Sequence, residues 1–508
     1  MKTGKVFLVG AGPGDPALIT CKGLTCLEKA DVVVYDYLVD ERLLENVPAG
    51  AERIYAGKTA GHHTMAQEEI NRLLVVKAKE GKTVVRLKGG DPFVLGRGGE
   101  EAETLVDNNI PYEVVPGITS AVAAPAYAGI PVTHRSLSSS FTVVTGHEDP
   151  AKENSSIDWE KMAMGVDTLV FLMGMQNIDT ICAKLIEHGR NSHTPVAVIK
   201  DGTKKTQVTV LGTIGNIAEK VTAKHLGPPA VIIVGEVSGL AEKLSWIEKR
   251  PLFRKRILVT RASRQAGKLS RLLEEQGAEP IELPAIEIEP ALDSNGLRQT
   301  MRNAGHYQWI IFTSVNGVEV FFQVLRRNNL DARSLQGINV WAIGPATADC
   351  LRENGIIADY MPEVYTTEGI IEGLKKFDIK GKRFLLPRSD IADEKLPNAI
   401  REYGGEPEEI ITYRTHPARE SIERARQMLL SGQIDVITFT SSSTVTNLLD
   451  ALKEDLPIAA WPKIASIGPK TTETAIRAGI EVDITADEQT ISGLVTAIED
   501  YFRREITW

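Results

Sequence analysis

Short runs of β-branched and aliphatic residues recur along the first half of the chain, each ending in a polar or glycine-rich break. VFLV (6–9), DVVVYD (31–36), TVVRL (83–87), YEVVP (112–116), FTVVTG (141–146), TLVFLMG (168–174), PVAVIK (195–200) and PAVIIVGEV (229–237) are of this kind. Continuous apolar runs of that length predict strands buried on both faces. Amphipathic stretches such as QEEINRLLVVKAKEG (67–81) lie between several of them and predict helices. Strands alternating with helices imply an α/β fold with mostly parallel sheets. Near residue 245 the texture changes: SWIEKRPLFRKR is charged, contains a proline and precedes a fresh strand, RILVT (256–260). A domain boundary is expected there.

The second half repeats itself. RILVTRA (256–262) is answered by RFLLPRS (383–389), and IIFTS (310–314) by ITFTS (437–441) at the same offset. AIGPAT (342–347) corresponds to SIGPKT (466–471), and TTEGI (366–370) to TISGL (490–494). Two copies, unlike the three or more of a solenoid, predict a two-lobed α/β unit with a cleft between the lobes. Each copy ends in a Gly-Pro turn opening a helix, and ligands favour the carboxyl ends of strands in open α/β sheets.

At 508 residues the chain is too long for one core. A net charge of −9 argues against a nucleic-acid partner that needs a large basic surface, though a local Arg/Lys cluster can still hold an anionic small molecule. The four cysteines form no CxxC pair and are too sparse for a disulfide framework, which points to a reducing compartment. The N-terminus reaches a glycine turn too soon for a signal peptide, and no apolar run is long enough to span a bilayer. A cytoplasmic location without membrane attachment is expected.

Three segments carry the chemistry of the first half. GAGPGDP (10–16) follows a strand and precedes a helix, but Pro13 and the GxGxG spacing break the dinucleotide pattern, and a plain tight turn explains it equally well. RLKGGDPFVLGRGGEE (86–101) places five glycines around Asp91, where the backbone can approach a ligand closely and the carboxylate can accept from hydroxyl or amino groups. VVPGITSAVAAPAYAGIPVTHR (114–135) sets small residues and hydroxyls at a strand–helix junction.

Together these segments resemble the S-adenosylmethionine-dependent tetrapyrrole methyltransferases, most closely uroporphyrinogen-III C-methyltransferase, from about residue 4 to residue 242. The resemblance implies a methyltransferase over 1–245, in subdomains of about 1–120 and 121–245, with S-adenosyl-L-methionine as cofactor. Carried over position by position, the cofactor pocket comprises Pro13, Gly89, Gly90, Asp91, Val94, Thr119, Ser120, Met173 and Gly202. Core filling is the plainer account of Met173. Asp36 is implied as proton acceptor, with a strand-end helix cap as its bland alternative. Lys58, in YAGKTAGHH, is implied as proton donor, with a solvated lysine as its alternative. The implied substrate bears many carboxylates, for which Lys88, Arg97 and Arg135 are the candidate partners. His62 and His63 lack a third ligand, so no metal is assigned. The family also implies a homodimer through this half.

The two-lobed repeat resembles uroporphyrinogen-III synthase over 254–508, and a synthase would make the substrate of the methyltransferase. That family implies one lobe from 254–289 and 418–508, and another from 290–417. Tyr413 in ITYRT is implied as the group that protonates a departing hydroxyl, or else as a tyrosine packed under a lobe. Thr471 in SIGPKTTET matches a cleft threonine. Thr313, Ser314, Thr440 and Ser441 in the paired FTS turns could bind carboxylates or simply cap helices. The chain is thus expected to methylate uroporphyrinogen III twice, giving precorrin-2, and to close hydroxymethylbilane with loss of water. The alternative is methylation of another tetrapyrrole intermediate, fused to a two-lobed module that binds without catalysis.

Overall fold

The computed structural model of the protein describes residues 3–57, 65–147, 157–260, 263–282, 286–291, 306–417, 419–452 and 461–505. The chain divides into two compact units, one chiefly Met1–Lys255 and the other chiefly Pro280–Ile498. Among the described residues no helix is long and apolar enough to cross a membrane.

The N-terminal unit holds two five-stranded sheets. The first comprises β1 (Lys5–Gly10), β2 (Val32–Tyr35), β3 (Glu52–Tyr55), β4 (Thr83–Lys88) and β5 (Tyr112–Val115) in the order β3-β2-β4-β1-β5, all parallel. Alternate residues of each strand feed two cores. Val6, Leu8, Val32, Val34 and Val84 pack against the helices Gln67–Lys79 and Gly98–Asp107. Val9, Val33, Val85 and Leu87 pack on the opposite face with Cys26 and Leu27 of the helix Cys21–Glu28. Adjacent β1 and β4 therefore send their following helices to opposite faces, which opens a crevice between their carboxyl ends.

The second sheet comprises β6 (Phe141–Thr145), β7 (Thr168–Leu172), β8 (Pro195–Lys200), β9 (Val208–Thr213) and β10 (Ala230–Val234) in the order β6-β7-β10-β8-β9. Here the expectation of mostly parallel pairing fails: only β6 and β7 are parallel, and the other three pairings are antiparallel. For β8 and β9 the reason is local: their connection is residues 201–207, too short for the crossover that parallel strands need.

The C-terminal unit contains β11 (Arg256–Val259), β12 (Glu279–Glu282), β13 (Ile286–Pro290), β14 (Trp309–Phe312), β15 (Asn339–Ala342), β16 (Arg383–Ser389), β17 (Glu406–Pro417), β18 (Val436–Phe439), β19 (Lys463–Ser466) and β20 (Ile484–Thr485). They form two sheets, β12-β11-β18-β19-β20 and β13-β17-β16-β14-β15. The copies of the repeat exchange their first strands. β11 of the first copy pairs with β18 of the second, while β16 of the second pairs with β14 of the first. Strand β13 pairs antiparallel with β17, so Ile286–Pro290 joins the sheet of β14–β17 and not that of β11.

Candidate active site

A cavity of about 510 Å³ opens at the carboxyl ends of β1 and β4. Its walls are made by turns that must be glycine. Gly12 and Gly90 form an isolated antiparallel bridge, Gly90 donating to the Gly12 carbonyl at 2.7 Å, and both have positive φ (83° and 68°). A Cβ on Gly10 would lie 2.4 Å from the Gly117 Cα, so the turns after β1 and β5 meet with no room for a side chain. Gly202 is equally confined, since a Cβ there would stand 2.4 Å from the Ala124 Cβ.

All nine residues expected to hold the cofactor line this one cavity: Pro13, Gly89, Gly90, Asp91, Val94, Thr119, Ser120, Met173 and Gly202. Several also hold the cavity in shape. Asp91 accepts from the amides of Phe93 (2.8 Å) and Gly117 (2.9 Å), one on each carboxylate oxygen, and so ties the turn after β4 to the turn after β5. Thr119 caps the helix Ser120–Tyr127 through the Ala121 amide at 3.3 Å. Met173 is not core filling. It is about half exposed at the cavity wall, with φ 59°, a conformation that costs an unbranched L-residue of order 1 kcal/mol or more.

Asp36 follows β2 and also lines the cavity. Its Oδ1 accepts from the Leu38 amide at 3.1 Å, and its Oδ2 faces Arg86 Nη2 at 3.5 Å. It caps no helix. Behind it lies a buried charge cluster that the motifs did not reveal. Glu101, fully buried, accepts on a single oxygen from Lys88 Nζ (2.7 Å), Arg86 Nε (3.1 Å) and Gln67 Nε2 (3.2 Å). Burial, reinforced by the Arg86 guanidinium, pulls the Lys88 ammonium below the usual lysine range. Burial likewise pushes the Tyr37 phenol up, and the Asp36 carboxylate beside it adds to the effect.

The three cations expected to meet substrate carboxylates do not share a setting. Lys88 lines the cavity, but its ammonium is committed to Glu101, so it is a buried ion-pair partner and not a free carboxylate ligand. Arg97 is exposed and clamps Glu100 through Nε (2.9 Å) and Nη2 (2.6 Å). Arg135 is exposed and lies outside the cavity lining. Lys204, unremarked in the sequence, lines the cavity. Lys58, His62 and His63 lie outside the described residues.

In the C-terminal unit the Tyr413 ring sits in the core around Phe312 and Phe321, and its hydroxyl meets Ser314 Oγ at 3.0 Å. Ser314 caps the helix Val315–Arg327 through the Gly317 amide at 3.0 Å. Ser441, its counterpart in the repeat, meets the Thr444 amide at 3.3 Å in the same way. Thr313 and Thr440 are half-buried beside these caps. Thr471 is buried in the first turn of the helix Pro469–Arg477, behind the Gly-Pro turn.

Residues 5–218 match the family described as tetrapyrrole (corrin/porphyrin) methylases, and residues 267–496 match uroporphyrinogen-III synthase HemD. The chain is 40% identical to a porphyrin biosynthesis protein HemD of Ruminiclostridium josui over 497 residues, 97% of each protein. It is 57% identical over 236 residues to a uroporphyrinogen-III C-methyltransferase of Methanocaldococcus jannaschii, covering 46% of this chain and 97% of that one. An S-adenosyl-L-methionine-dependent uroporphyrinogen III methyltransferase of Methanosarcina barkeri is 54% identical over 241 residues, 47% of this chain and 94% of the relative.

Proposed function

Because the chain belongs to the tetrapyrrole methylases through its N-terminal half and to the uroporphyrinogen-III synthases through its C-terminal half, we propose that it performs two consecutive tetrapyrrole reactions. The synthase half, 254–508, closes hydroxymethylbilane to uroporphyrinogen III with loss of water. The methyltransferase half, 1–245, then methylates two ring carbons of that product, giving precorrin-2, with S-adenosyl-L-methionine as donor.

One observation carries the methyltransferase assignment: motifs far apart in sequence close around a single cavity with a carboxylate, Asp36, in its wall. The cavity suits the donor. Its volume lies within the range of about 300–1,000 Å³ typical of small-molecule sites. A Cβ on Gly90 would project toward the Thr119 Cα, 3.8 Å away, so the missing side chain leaves a cradle. The lining carries Asp36, Asp91 and Asp201 against Lys88 and Lys204. That set favours a cationic ligand with hydroxyl and amino groups over a polyphosphate.

Bound there, S-adenosyl-L-methionine supplies an electrophilic methyl group. Gly89, Gly90 and Gly202 let backbone approach the donor, while Thr119, Ser120, Val94 and Met173 complete its walls. Asp36, partly exposed at the end of β2, accepts the proton that the macrocycle loses after each methyl transfer to a ring carbon. Lys58 is the proton donor in this scheme. In the synthase half, the Tyr413 hydroxyl gives a proton to the departing hydroxyl, which leaves as water, and Thr471 orients a substrate carboxylate.

The methyltransferase half pairs as a homodimer in this scheme, which light scattering of the full chain checks. All four cysteines are free, in keeping with a reducing, cytoplasmic setting. The direct test of the methyltransferase is anaerobic uroporphyrinogen III with the donor, followed by mass. Two added methyl groups are expected in the wild type and none in Asp36→Asn. No methyl gain by the wild type contradicts the assignment.

A further inference from the structure

Arg86 interrupts the apolar strand β4, on the face that Val84 shares with the helices Gln67–Lys79 and Gly98–Asp107. An arginine with a side chain 4% exposed must use its donors, and this one does. Nε is taken by Glu101 at 3.1 Å, and Nη1 by the carbonyls of Val34 (3.3 Å) and Leu87 (3.2 Å). These three acceptors fix the guanidinium plane in the wall of the sheet. What remains is Nη2, aimed at Asp36 Oδ2 from 3.5 Å.

The geometry points to Arg86 as the positioning residue of the methyl-transfer site: clamped by Glu101 and two strand carbonyls, it holds the Asp36 carboxylate in place for proton acceptance. This deepens the assignment of Asp36 as proton acceptor and rests on it. The Leu38 amide fixes the other oxygen, so the carboxylate is held at both ends. The long Arg86 contact leaves Oδ2 free to take a proton. Glu101 matters because it anchors Nε and so leaves Nη2 for Asp36.

Among the described residues, the charged and titratable groups facing Asp36 are Arg86 and Lys88 from β4 and Tyr37 from its own turn, with Glu101 of the helix Gly98–Asp107 behind the cations. Tyr55 of β3 couples to Tyr37 in turn. Without Arg86 the carboxylate keeps only the Leu38 amide on Oδ1, so its misplacement lowers kcat while KM for uroporphyrinogen III holds.

The experiment separates kcat from KM for uroporphyrinogen III methylation in the full chain, for wild type, Arg86→Met, Arg86→Lys and Asp36→Asn. In Arg86→Met the Lys88–Glu101 pair survives, and kcat is expected to fall at least about tenfold while KM stays within about twofold. In Arg86→Lys kcat also falls about tenfold at unchanged KM, because one ammonium cannot span both Glu101 and Asp36. Full kcat in folded Arg86→Met overturns the proposal and leaves Asp36 untouched. Should Arg86→Met not fold, full kcat in Arg86→Lys overturns it instead. Wild-type activity in Asp36→Asn removes the proton-acceptor assignment itself, and the role of Arg86 falls with it.

Discussion

Tyr413 and Ser314 are 99 residues apart in sequence, yet their hydroxyls share a hydrogen bond. Ser314 also caps a helix, so one oxygen serves the fold and the candidate proton donor together. Ser314→Ala is expected to cost about 1 kcal/mol of stability through the lost cap. It should also slow ring closure about tenfold, and the Ser314→Ala/Tyr413→Phe double variant should be no slower than Tyr413→Phe alone, as for groups that act as a unit. Additive losses in stopped-flow ring closure would show that the two side chains act separately. The convergence of dense motifs was legible in the sequence: the nine cofactor candidates line one cavity. What residue types could not convey is partnership. Lys88 reads as a free cation until Glu101 is seen beneath it, and the part Asp91 plays in tying two turns together shows only once its two backbone amides are counted. The signal for the buried cluster was present nonetheless, in the alternate charged positions Arg86 and Lys88 within an otherwise apolar strand.

At the scale of elements, the site is a consequence of where β1 and β4 end. Their neighbouring carboxyl ends deliver the two glycine turns to each other, and the turn after β5 closes the third side. That joint tolerates no atoms: Gly10→Ala places a Cβ 2.4 Å from Gly117 and 2.6 Å from the Gly90 carbonyl. Overpacking of this kind costs about 1–3 kcal/mol. The variant is expected to melt lower and to bind S-adenosylhomocysteine at least about tenfold more weakly by calorimetry; unchanged affinity would dissociate the joint from the cavity. The long apolar strands were readable from pattern alone. The edge strands β3 and β9 were not, because β3 is short and half charged, ERIY, and β9 carries the polar alternation of a half-covered edge. The antiparallel run of the second sheet was hidden for a related reason, since apolar content reports burial and carries no strand direction.

On the scale of the whole molecule, the repeat in the C-terminal half was visible as paired motifs, but its consequence lies in the topology. Each sheet takes its first strand from the other copy, so neither copy is a lobe by itself. Two units with two family signatures, in one chain matched along nearly its full length by a relative, fit a protein whose halves act in sequence on one intermediate. The most direct measurement gives the purified chain hydroxymethylbilane under anaerobic conditions, with and without S-adenosyl-L-methionine, and follows products by absorbance and mass. Uroporphyrinogen III without the donor and its doubly methylated product with it are expected from the same tube. Only the type I isomer without the donor would contradict the synthase half, and type III product that never gains methyl groups would contradict the methyltransferase half.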